Sequence, residues 1–317
     1  MTTRNGPRLS APIMKNLRPV DALVILFLAA LTIFYPIASG EPADGLLLLG
    51  VNAAIVAGIF ALGASDRMFP GNRLLSVARN FYPVLMIFIV FKEVHVVIQS
   101  MHRADWDAAF IEADRWLFGT DPTVWLSRLS HPIVTEILQI SYASYYLIMI
   151  ALGVELYRRD PRGVFSDVVF CITYGFFLSY AGYIAFPGVG PRFTLHEFGS
   201  MNTDLPGLFL TDFLRGAINA GESIPAGAAN PMALAQRDVF PSGHTQMTML
   251  TMYFAWKHRV RSRHLITVLG ALLIVSTVYL RYHYVVDLLG GALFMAITVS
   301  TAPVIYRVLG KTGQGRI

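Results

Sequence analysis

Long apolar stretches separated by short polar ones dominate the chain. They fall at roughly 20–37, 45–63, 79–98, 133–157, 165–186, 243–256, 265–281 and 284–306. A helix needs about 20 apolar residues to cross a hydrocarbon core about 30 Å thick. The pattern therefore predicts an all-α membrane bundle of about eight spans. The sixth run is short at its polar start, where Ser242 and His244 sit, so it is expected to begin inside the protein rather than at the lipid surface. Two long loops, 99–132 and 187–242, interrupt the rhythm. Residues 105–118 set Trp106, Phe110, Trp116 and Leu117 among acids, as a short interfacial helix does, and residues 207–218 read similarly. Such helices either cap the bundle or frame a lateral doorway for a lipid. No repeat period or low-complexity run stands out.

Composition agrees with lipid as the main solvent. Residues are 55% hydrophobic and 14% charged, against about 25% charged in a soluble domain. The net charge of +5 and pI near 9.3 would suit nucleic acid, but the cations sort by loop. With the N-terminus placed in the cytoplasm, seventeen Lys and Arg fall on inner segments and eight on the longer outer ones. By the positive-inside rule, both termini face the cytoplasm and the two long loops face outward. The first apolar run is long and lacks a clear cleavage site, so a signal peptide is not expected. A lone Cys171 rules out an intramolecular disulfide and reads as packing.

Ionisable groups in membrane spans are costly and mark function by default. Three features stand out, all on the predicted outer side. The first is Phe240-Pro241-Ser242-Gly243-His244. Ser242 suits an N-cap, Gly243 admits close approach of a ligand, and a helix N-terminus is an anion site. His244 would stand in the first turn over that anion. The second is Arg281-Tyr282-His283-Tyr284-Val285-Val286-Asp287. His283 and Asp287 are four apart, on one face if helical, and a carboxylate at one ring nitrogen leaves the other as base or nucleophile. Arg281 offers a planar fork for phosphate oxygens. The third is the turn Gly188-Val189-Gly190-Pro191-Arg192, which supplies another cation.

Taken in this order, the features resemble the type 2 phosphatidic acid phosphatase superfamily. Pro241-Ser242-Gly243-His244 matches its hallmark, and His283 with Asp287 follows at the expected distance. Upstream, Asp114, Leu117-Phe118-Gly119 and Pro122 resemble the inositol phosphorylceramide synthase branch. Thr277 stands where the usual hydrolase pattern has Arg, Arg281 precedes His283 instead, and the usual Lys-containing first motif is replaced by Gly190-Pro191-Arg192. Both departures raise the weight of head-group transfer. The resemblance implies a six-helix catalytic core, with residues 1–78 as two added spans and 79–317 as the catalytic bundle. It implies a lipid phosphate substrate cleaved through a phosphohistidine on His283, with Asp287 orienting it and His244 as general acid and then base. Arg192, Arg281, Ser242 and the Gly243 N–H would hold the phosphoryl oxygens. No cofactor or metal is expected, and His-x₃-Asp with a distant His is poor metal spacing.

The acceptor stays open between water, for a phosphatase, and an alcohol, for a transferase. A proton-coupled transporter using His283 and Asp287 lacks visible paired repeats. A serine hydrolase using Ser242 lacks the nucleophile elbow. Lys92, Glu93 and His95 line a cavity or mark where the third run leaves lipid. His258 and His264 are expected in solvent, whereas His102, His131 and His196 belong to outer loops. The compact loops suggest a bacterial inner membrane, with the site on its extracytoplasmic side.

Overall fold

A computed structural model describes residues 17–39, 42–161 and 163–310. All eight apolar runs are helical, and no strand forms among the described residues. The chain opens with α1 (Pro19–Ser39), α2 (Pro42–Met68) and α3 (Arg73–Ser100). The first long loop holds α4 (Asp107–Phe118) and α5 (Pro122–Ser127). The fourth run splits into α6 (Pro132–Ala143) and α7 (Tyr145–Arg159), bent by 46°. The Ser144 hydroxyl donates to the Ser141 carbonyl (2.6 Å) at the bend, a contact that competes with the helical ladder. After α8 (Val164–Ala185), the second long loop carries α9 (Pro191–Thr194), α10 (Met201–Asp204), α11 (Thr211–Gly221) and α12 (Pro231–Leu234). The last three helices are α13 (Gly243–Lys257), α14 (Arg263–Tyr279) and α15 (Val285–Gly310).

Five of these (α1, α2, α3, α8 and α15) are long and apolar enough to cross a membrane, and α6 with α7 makes a sixth if the bent pair is one span. The other two of the eight runs are shorter. At 1.5 Å per residue, α14 with 17 residues reaches about 26 Å and α13 with 15 about 22 Å. The shortness of α13 has the expected cause. Its N-cap, Ser242, is fully buried, with Oγ accepting from the Thr245 N–H at 3.2 Å.

That helix is the axis of the bundle, packed against α7, α8, α14 and α15. Gln246 is its most densely bonded buried polar side chain. Gln246 donates to the Gly175 carbonyl (3.0 Å) and Thr298 Oγ1 (3.1 Å), and it accepts from Ser179. α15 approaches α13 so closely that a Cβ at Gly291 would lie 2.6 Å from the Ser242 carbonyl. At the other side of the bundle, α1 packs on α2 and α3 and also on α8 and α15. A buried ion pair between Arg79 and Asp21 ties α3 to α1.

The described loops gather at two ends of the bundle. Arg159 donates to the His258 carbonyl (3.2 Å), and Glu155 accepts from Ser262, so the basic turns after α7 and α13 meet. Arg192, Arg281 and the long loops gather at the opposite end, where the Arg192 N–H donates to the Arg281 carbonyl at 3.0 Å. Arg4, Arg8, Lys15, Arg162, Lys311 and Arg316 of the inner count lie outside the described residues.

Candidate active site

The helical face expected to join His283 and Asp287 does not form, because α15 begins only at Val285. His283 ends the turn from α14, with its N–H bonded to the Thr277 carbonyl (3.0 Å), and Asp287 lies in the first turn of α15. Asp287 Oδ2 accepts from the Tyr284 N–H at 2.8 Å and lies 3.4 Å from His283 Nδ1. The nearer partner of that nitrogen is the Val239 carbonyl, at 2.9 Å. A carbonyl can only accept, so this contact places the proton on Nδ1 and leaves the Nε2 lone pair free. Nε2 faces His244 Nδ1 at 3.4 Å. Burial and the neighbouring His244 hold the His283 imidazole well below its ordinary pKa, which keeps it neutral and able to attack an electrophile.

The sequence builds this pair from two helix starts. Ser242 caps α13 and places His244 in its first turn, while its own N–H donates to the Asp287 carbonyl at 2.9 Å. Asp114 of α4 performs the same service for α15, accepting from the N–H groups of Val285 (2.9 Å) and Val286 (2.8 Å). An acid at that position satisfies orphan donors and complements the helix dipole. His244 is further fixed by rings. Tyr142 stacks on it at 4.6 Å and Tyr145 lies tilted at 4.4 Å, with the Tyr145 hydroxyl donating to the Gly243 carbonyl at 3.2 Å.

Arg192 enters the same neighbourhood. Gly190 has φ +92°, and a Cβ there would meet the Tyr282 carbonyl at 2.8 Å, so only glycine lets this turn lie against the His283 turn. Asp107 secures it by accepting from the N–H groups of Val189 (2.9 Å) and Gly190 (2.8 Å) and from the Tyr284 hydroxyl (2.8 Å). The Arg192 guanidinium lies 4.9 Å from the Tyr282 ring, which stacks on Tyr142 at 4.3 Å. Arg192 pairs with Glu222 and donates to Asn219 Oδ1 at 3.2 Å.

Arg281 is placed differently. Its guanidinium bonds Asp204 (2.7 Å) and Ser127 Oγ (3.2 Å), on a backbone held at φ +67°. Arg281 and Ser200 hold the Asp204 carboxyl below its usual range, and burial followed by Arg281 lowers His196 to about 4. The structure thus brings His244, His283, Asp287, Ser242, Gly243 and Arg192 into one cluster and engages Arg281 in an ion pair beside it.

Several members had no sequence signal. The Val239 carbonyl is a backbone atom, and Asp107, Glu222 and Asp238 are ordinary loop acids until the loops close. Burial, then Glu222, pushes the Asp238 carboxyl up to about 7. Tyr142 was hidden in an apolar run. Asp114 was visible only through the resemblance.

Comparison with known proteins follows the same residues. A stretch of 224 residues is 25% identical to a PA-phosphatase related-family protein of Dictyostelium discoideum, covering 60% of this chain and 38% of that longer one. No solved structure matches. The model of the PAP2 superfamily matches residues 108–301, which run from α4 through most of α15 and include Arg192, Ser242, Gly243, His244, His283 and Asp287. The chain, an integral membrane helix bundle, therefore belongs to the PAP2 superfamily.

Proposed function

We propose that the chain is a membrane phosphoesterase that cleaves a lipid phosphate ester or pyrophosphate through a phosphohistidine. The observation that carries this reading is the facing pair, His283 Nε2 and His244 Nδ1 at 3.4 Å, with the His283 tautomer set from behind by the Val239 carbonyl. Nε2 attacks phosphorus, an N–P bond forms, and the P–O bond to the leaving group breaks. His244, entering as the imidazolium, gives a proton to the departing oxygen, then as the neutral base takes one from water as that water attacks phosphorus and the N–P bond breaks. Asp287 balances the charge that develops on His283. Arg192, the Ser242 hydroxyl and the Gly243 N–H at the start of α13 face the equatorial oxygens. The mechanism needs no metal.

An alcohol in place of water would make the protein a head-group transferase. Arg281 in place of the usual hydrolase arginine favours this second reading. We place the site on the extracytoplasmic side from the charge count. The bacterial inner membrane rests on loop compactness alone, since the relative is eukaryotic.

Purified protein in detergent decides among these. Phosphatidate, a lipid pyrophosphate and a phosphoinositide are supplied with and without ceramide or diacylglycerol. Free phosphate that disappears in His283→Ala identifies a phosphatase, and product seen only with a lipid acceptor identifies a transferase. His244→Ala is expected to slow turnover by about 10²–10⁴-fold, with less loss on substrates carrying good leaving groups. Near-normal rates in both variants would sink the assignment.

A further inference from the structure

Lys92 stands eight residues before the end of α3, a helix long and apolar enough to span the membrane. An ammonium at that depth needs partners, and the structure gives it two. Nζ donates to the Gly221 carbonyl (2.7 Å) and to Ser223 Oγ (3.0 Å). Gly221 is the last residue of α11, whose final carbonyls lack helical partners and carry the negative end of the dipole. Ser223 has φ +68°, a left-handed conformation that a non-glycine residue seldom adopts. The turn closes through its own backbone, with the Ser223 N–H on the Ala220 carbonyl (3.2 Å) and the Ile224 N–H on the Asn219 carbonyl (2.9 Å), and side chains add to it: besides Lys92, Gln236 makes a longer bond to Ser223 Oγ at 3.4 Å.

Between the two residues that Lys92 holds sits Glu222, the ion-pair partner of Arg192. Asn219, the other side chain bonded to that guanidinium, belongs to the same last turn of α11. Arg192 is thus aimed by a segment that Lys92 pins. Lys92 lies before residue 108, where the superfamily match begins. The contact ties α3 to the matched region.

We propose that Lys92 is a positioning residue for Arg192. By fixing the 221–223 turn, it holds Glu222 and Asn219 where they orient the guanidinium toward a phosphate anion. The proposal rests on the reading of Arg192 as a phosphate ligand.

The test uses the full chain in detergent, with inorganic phosphate as the calorimetric ligand and turnover measured alongside. Lys92→Met is expected to weaken phosphate binding about tenfold, as for one lost charge-assisted hydrogen bond. KM should rise in parallel and kcat change little, and Lys92→Arg should restore both. The weakening should persist at about 1 M salt, where the Debye length is about 3 Å. A weakening that vanishes there is through-space charge and overturns the positioning role, as does unchanged phosphate binding. If Lys92→Met fails to fold, Ser223→Ala carries the test. It should weaken phosphate in the same direction, and wild-type binding there overturns the proposal. Arg192→Gln separates the two claims. Phosphate binding equal to wild type in that variant overturns the reading of Arg192 itself.

Discussion

A buried imidazole with one nitrogen tied to a carbonyl has one free lone pair and one direction in which to use it. Asp287 is therefore not needed to set the His283 tautomer, which the Val239 carbonyl already does at 2.9 Å. Asp287→Asn is expected to keep the geometry and lower kcat, yet by less than His283→Ala, and equal losses would show that the carboxylate does more than stabilise charge. A second prediction concerns Asp238, whose carboxyl titrates at about 7. Its pKa is raised, so it is neutral below that value and gains a negative charge above it, which opposes an anion near Arg192. Inhibition by inorganic phosphate should weaken more steeply in wild type than in Asp238→Asn as pH rises through 7. The inhibitor's own titration is common to both proteins, so parallel curves would remove Asp238 from the site. The histidines, Asp287 and Arg192 were legible in the sequence because each belongs to a compact motif. Asp238 and Glu222 were not, since their meaning depends on what the folded loops bring beside them.

Two helix starts frame the histidine cluster. α13 is capped by Ser242 and α15 begins at Val285, and the two starts touch through the Ser242 N–H and the Asp287 carbonyl. Gly291 makes that approach possible. Gly291→Ala would set a methyl 2.6 Å from the Ser242 carbonyl and 3.2 Å from the Gln246 nitrogen, both backbone atoms that cannot swing aside. Overpacking of this kind costs about 1–3 kcal/mol. The expected outcome is a lower thermal midpoint in detergent together with reduced turnover, because the strained contact is the one that sets His244 against His283. Unchanged midpoint and turnover would mean that α15 can shift away without cost. Apolar runs announced each of these helices. They did not announce that α6 and α7 would bend by 46° beside Ser144.

Across the whole molecule, the N-terminal helices are fastened to the matched region at both ends. At one end, Lys92 of α3 meets the turn after α11. At the other, the Arg79–Asp21 pair joins α3 to α1, which itself lies on α8 and α15. Asp21 is fully buried, so Arg79→Met leaves its carboxylate without its main partner. Removing one member of a buried pair costs about 3–5 kcal/mol. The low end is expected because Arg18 stays within 4.0 Å of Asp21. Thermal scans in detergent should show the loss, and adding Asp21→Asn should recover part of it. A midpoint unmoved by Arg79→Met would mean that the pair contributes nothing.

By itself the sequence determined the solvent, the helices and the superfamily. Those properties are written in local composition and spacing: a run of apolar residues demands lipid or core, and Pro241-Ser242-Gly243-His244 demands a capped helix start. The tertiary structure decided which lone pair of His283 is free, which arginine joins the histidines and which is drawn to Asp204, and what Lys92 holds. These depend on a backbone carbonyl at Val239, on a glycine thin enough to let two turns meet, and on a loop acid, Asp204, brought to Arg281 across 77 residues of chain. Hydrogen bonds act over about 3 Å, and no spacing along the chain records which groups come that close.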